Sequence, residues 1–151
     1  MKIKTKFFGE IEVVEEKIIN FPNGIIGFED LKKFILIDHP GSDVIKWLQS
    51  VDDANISLPV ADPTAFYPDY SPEISRDNLE IIGIKNIEDA VVLCVITVPT
   101  DIQKATINLK APVVLNPARR LGDQMIAENP EYRVKHPLQL AQKQEGRCAG
   151  C

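Results

Sequence analysis

Short runs rich in isoleucine and valine recur along the whole of this 151-residue chain, and each is cut off by proline, glycine, asparagine or aspartate. That rhythm leaves little room for long helices. Runs of this length and composition are strands, and many short strands with frequent turn residues make a sandwich or a barrel. Strands are expected at Ile18–Phe21, Phe34–Asp38, Ile45–Gln49, Ser57–Ala61, Ala90–Val98, Ala105–Leu109, Val113–Leu115, Gln124–Ala127 and Tyr132–Val134. Ala90–Val98 is apolar on both faces and so belongs at the centre of the sheet. Helix signals are confined to one or two turns from Phe28 to Phe34 and to Asp77–Ile82, ending at Gly83. The fold class is mainly β: a small antiparallel barrel-like single domain with one or two short helices.

The N-terminal hairpin reads almost residue by residue. Lys2, Lys4 and Lys6 alternate with Ile3, Thr5 and Phe7, while Glu10 and Glu12 alternate with Ile11 and Val13. A loop of Phe7-Phe8-Gly9 sets Lys6 opposite Glu10, Lys4 opposite Glu12 and Ile3 opposite Val13. Gly9 then takes the left-handed position that such loops require. The barrel domain is expected to span residues 1–138, with 139–151 as a flexible polar tail.

Charge narrows the function. The net charge is −5, so a nucleic-acid phosphate backbone would meet repulsion, whereas a basic protein would be attracted. Glu10, Glu12, Glu15 and Glu16 crowd one region and are candidates to steer such a partner. The N-terminus lacks the continuous apolar stretch of a signal peptide, and no run approaches a membrane helix in length. A cytoplasmic, monomeric protein is expected, with no membrane association.

Motifs for chemistry are sparse. His39 and His136 each precede a proline and read as turn or surface residues. Ser50, Asp52 and Asp53 lack the repeated oxygen spacing of a calcium loop and read as a turn. Cys94 lies within an apolar run and reads as inert core. Cys148 and Cys151 form a terminal CxxC with no second ligand pair, too little for zinc. No catalytic residue, metal site or cofactor is expected, and the chain reads as a binding protein.

Four segments sharpen that reading: FPNGIIGFED (residues 21–30), WLQSVDD (47–53), LPVADP (58–63) and INLKAPVVLNPARRLGDQMI (107–126). In this order they resemble the flagellar assembly factor FliW family, across roughly Ile3 to Leu140. The resemblance implies a non-enzymatic β-barrel that binds newly made flagellin in the cytoplasm. It also implies that, once free of flagellin, the protein sequesters the carbon storage regulator, the translational repressor of flagellin messenger RNA. A dedicated flagellin secretion chaperone without the regulatory arm is the alternative. Within the last segment, Asn116, Arg119, Gln124 and Ile126 are the candidates for the flagellin surface, with Ile126 as apolar anchor. Glu10, Glu12, Glu15 and Glu16 are the candidates for the regulator.

Overall fold

The structure, a computed structural model, describes residues 1–138. The tail expected from residue 139, with Cys148 and Cys151, lies outside the described residues. The strands are β1 (Lys2–Thr5), β2 (Gly9–Glu12), β3 (Ile19–Asn20), β4 (Lys33–Asp38), β5 (Ile45–Ser50) and β6 (Ser57–Ala61). They continue with β7 (Val91–Thr97), β8 (Thr106–Ile107), β9 (Val113–Asn116), β10 (Leu121–Gln124) and β11 (His136–Pro137). One helix, α1 (Arg76–Ile81), is capped by the Ser75 hydroxyl on Asn78 N at its start. Gly83, at φ +73°, follows its end, as the sequence suggests.

Strands β7, β6, β5, β4, β3, β10 and β9 hydrogen-bond in that order, and β9 pairs back onto β7. The ring is therefore closed, although β3 meets β4 only at Lys33 and Phe34 and leaves the far end of β4 without a strand on that side. All pairings are antiparallel except β3 with β10, which run parallel at Asn20 and Leu121. Facing residues fill the interior: Leu36 opposite Leu48, Leu48 opposite Leu58, Val60 opposite Val95 and Leu93 opposite Val113. Phe21 and Phe34 complete it edge to face, with ring centroids 5.3 Å apart.

Strand β7 is central, as expected, and bonds three others. Beside it, β8 and β9 form one broken partner. While β7 advances from Leu93 to Ile96, that partner runs back from Val113 to Ile107, leaving extra residues as a bulge. Asn108 Oδ1 holds the bulge by accepting from Lys110 N and Ala111 N.

Four expectations need correction. The hairpin register is displaced by two residues: Lys4 faces Glu10, Lys2 faces Glu12, and Ile3 faces Ile11. The cause is Thr5, whose hydroxyl donates to Gly9 O and accepts from Phe8 N, making Lys6-Phe7-Phe8 the loop. A two-residue shift keeps every side chain on its face, and Gly9 keeps its left-handed φ of +71°. Of the one or two turns expected from Phe28 to Phe34, a single hydrogen-bonded turn forms, and strand β4 begins at Lys33. Gly27 at φ +92° reverses the chain, and Leu31 N closes a single turn on Phe28 O. The Tyr132–Val134 strand is replaced by β11, because Tyr132 N turns back onto Asn129 O. The strand expected at Gln124–Ala127 begins earlier, at Leu121. Its pairing continues through Met125 N to Pro112 O and Ala127 N to Lys110 O, where Pro112 has no N–H to return.

The hairpin of β1 and β2 covers the outside of the barrel, burying Ile3, Val13 and Ile18 against Ile35. Its tip closes on Trp47: Phe7 stacks on the indole at 6.5 Å and Phe8 meets it edge-on at 5.8 Å. Trp47 is the single tryptophan of the chain. Its emission should shift to longer wavelength in Phe7→Ala, with a stability loss of about 1 kcal/mol. Emission unchanged from the parent would mean that the tip does not shield the indole.

Candidate protein-binding surface

Ile26 and Ile126 are large apolar side chains turned outward, 55% and 49% exposed. Both are held in place by the same strand pair. Ile26 rides on a tight loop between Gly24 (φ +68°) and Gly27 (φ +92°), while its neighbour Ile25 is buried. The Gln124 side chain fixes that loop. Its Oε1 accepts from Ile26 N at 3.0 Å, and its Nε2 donates to Ala111 O at 2.9 Å. The Glu29 carboxylate accepts from Gly27 N at 3.1 Å, and this bond draws its pKa below the usual range. Ile126 sits two residues beyond Gln124, between buried Met125 and Ala127. Gln124 therefore acts as a strut, and the two isoleucines are exposed to solvent.

Asn116 and Arg119 lie at the other end of the β9–β10 pair. Asn116 is buried, donating from Nδ2 to Ile82 O at 2.7 Å. The Arg119 side chain lies across Gly83, whose missing Cβ would fall 2.9 Å from a guanidinium nitrogen. The structure thus joins Gln124 to the Ile26 loop, with Ile126 two residues further along the chain, but sets Asn116 and Arg119 apart. Ile26 was missed by the sequence reading. Its signal is the Gly-Ile-Ile-Gly spacing, in which flanking glycines force one isoleucine inward and the other out.

Glu10, Glu12, Glu15 and Glu16 are all exposed. The first two lie on the outer face of the hairpin opposite Lys4 and Lys2, and the others on the short turn Glu15–Lys17. Glu12 also pairs with the Met1 amine at 2.8 Å. Lysines therefore interleave this acidic region.

His39 packs on Trp47 and His136 on Tyr67, in separate aromatic groups. Burial, helped by the charge of Arg133, lowers the pKa of His136. Ser50 Oγ accepts from Asp52 N and Asp53 N, the turn expected there. Cys94 is buried beside Tyr70 O–H, and burial pushes its thiol up to about 12. It should resist thiol reagents until the protein unfolds. Among the described residues, no group of three or more His, Cys, Asp or Glu side chains could hold a metal ion. No helix among them is long and apolar enough to cross a membrane.

Among the described residues, Asp123 is the one carboxylate that burial clearly raises above the usual range, and it accepts a side-chain bond from Asn23 Nδ2 at 3.3 Å. Its folded form holds a proton more tightly than the unfolded chain does. The resulting loss of stability builds as the pH rises from the unfolded pKa to the folded pKa, is complete above it, and fades on acidification. Asp123→Asn should be more stable than the parent at neutral pH, with the gap narrowing at mildly acidic pH. Thermal melts at both pH values check this, and a gap independent of pH would contradict it.

The fold and surface define a small barrel with exposed apolar and charged faces. The sequence profile described as FliW protein matches residues 2–138. The flagellar assembly factor FliW of Natranaerobius thermophilus is 47% identical over 139 residues, covering 91% of this chain and 92% of that protein. The Lachnospira eligens protein of the same description is 44% identical, covering 96% and 99%. A crystal structure of the flagellar assembly factor FliW superposes with a TM-score of 0.84 at 34% identity, covering 91% of this chain and 96% of that one. The chain belongs to the FliW family of flagellar assembly factors, which is not a known enzyme class.

Proposed function

We propose that this protein binds cytoplasmic flagellin and, when free of it, sequesters the carbon storage regulator, coupling flagellin synthesis to export. The observation that carries the reading is the Ile26–Ile126 surface on a strutted, rigid pair of strands within a family of assembly factors. Flagellin's terminal segments are amphipathic helices that stay unburied before the filament assembles. Two fixed isoleucines suit the apolar stripe of such a helix. The regulator binds RNA and so presents basic surface, which the exposed glutamates can steer.

Calorimetric titration with flagellin monomer tests the first half, and binding is expected. Absence of binding would remove flagellin as the partner. Reversing Glu10, Glu12, Glu15 and Glu16 to lysine should slow association with the regulator and flatten its dependence on salt. Unchanged rates would rule those residues out. Binding to flagellin with none to the regulator would leave a secretion chaperone.

A further inference from the structure

Strand β4 has an unpaired edge beside an opening in the barrel wall. Val51 N donates to Lys33 O, and Phe21 N to Lys32 O. This alternation directs the backbone groups of Ile35 and Ile37 to β5, and those of Phe34, Leu36 and Asp38 toward β3. Phe34 is met there by Ile19. Beyond Ile19 the chain leaves the strand, because Ile18 N bonds Glu15 O and Lys17 N bonds Val14 O in a short turn. Leu36 and Asp38 are left with no strand opposite them among the described residues.

A cavity of about 360 Å³ opens at that gap, lined by Ile19, Leu36, Val91 and Leu115. A second, of about 320 Å³, adjoins it at Lys17 and Leu36 and runs under β2. Of the carboxylates Glu12, Glu16 and Asp38 on these walls, Glu12 pairs with the Met1 amine at 2.8 Å and Asp38 with Lys46 at 2.7 Å, which leaves Glu16 without an ion pair among the described residues. The Arg120 guanidinium is engaged with Glu15 O at 2.9 Å. Arg120 also holds φ +54°, which disfavours a side-chain-bearing residue.

We propose that this opening takes an extended segment of a partner protein as an added strand along Leu36–Asp38. One aliphatic side chain of that segment enters the cavity, and a basic residue two positions along faces Glu16. Unmatched main-chain groups select a strand over a helix, since a helix has satisfied its own. Side chains on a strand share a face at every second residue, which sets the spacing of the aliphatic and basic groups. The site lies at the Asn116–Leu121 end of the β9–β10 pair, opposite the end that carries Ile26 and Ile126. It stands whether or not flagellin is the partner there.

The test is hydrogen exchange by NMR on the whole chain, with the acetylated, amidated peptide Thr-Lys-Thr-Val-Thr-Lys-Thr as probe at millimolar concentration. Without peptide, the Leu36 and Asp38 amides should exchange faster than those of Ile35 and Ile37. With peptide, their exchange should slow by about tenfold. Replacing both peptide lysines with aspartate should weaken binding about fivefold or more. Val91→Arg, at a position 41% exposed on the rim, should block the effect, and Glu16→Gln should weaken it. Slowed exchange at both amides that is lost in Val91→Arg would support the assignment. Unchanged exchange at Leu36 and Asp38 would overturn it, as would equal binding of the aspartate peptide. Shifts at Val91 and Leu115 without slowed exchange would also overturn it, because the cavity would then take an apolar ligand with no strand pairing.

Discussion

Gly24→Ala is expected to destabilise the protein by about 3 kcal/mol, whereas Gly27→Ala, three residues away, costs only about 1 kcal/mol. Both glycines hold left-handed backbone conformations that disfavour a Cβ. At Gly27 nothing lies within 4 Å of the added atom, so the conformational cost stands alone. At Gly24 the added Cβ would sit 2.6 Å from both the Cα and the carbonyl oxygen of Glu29. Backbone cannot rotate away as a side chain can, so the loop must open. Gly24 N is itself bonded to Phe21 O, next to the buried Phe21–Phe34 pair. Chemical denaturation of the two variants separates the mechanisms. Equal losses would show that the clash at Gly24 is relieved cheaply.

The second large effect concerns binding. Ile26→Arg combined with Ile126→Arg should weaken flagellin binding by about 3 kcal/mol, more than a hundredfold, while leaving the melting temperature nearly unchanged. Both side chains are already exposed, so the folded chain gives up little buried area. A partner helix would have to bury two charges where it had buried two isoleucines. Each single variant should cost more than about 1 kcal/mol. Gln124→Ala offers a control, because it removes the strut and keeps both isoleucines. Its loss should be smaller, with raised mobility in the Ile26 loop. Undiminished affinity in the folded double variant would dismiss this surface.

The sequence made the barrel class and its central strand legible because apolar alternation and turn residues are local signals. Val91–Thr97 and Ser57–Ala61 were marked by their own composition. The hairpin faces were legible too, but not its register, since a hydroxyl of Thr5 decided which residues form the loop. Closure was not legible: the parallel contact of Asn20 with Leu121 joins residues far apart in the chain and leaves no periodic trace. The same limit applied to the surface. Ile126 could be singled out from its segment, but Gln124 and Asn116 have side chains engaged with backbone that only the fold brings near. Ile26 was hidden beside Ile25, and only the φ angles of the two flanking glycines decide which of the pair faces out.

The most direct test of the two-partner account is a calorimetric titration of the purified protein with the carbon storage regulator, run alone and again with the protein saturated by flagellin monomer. The account predicts that the regulator binds the free protein and that saturating flagellin lowers its apparent affinity by about tenfold or more. Equal affinity in the two titrations would contradict it, because the exchange of partners requires that one weaken the other.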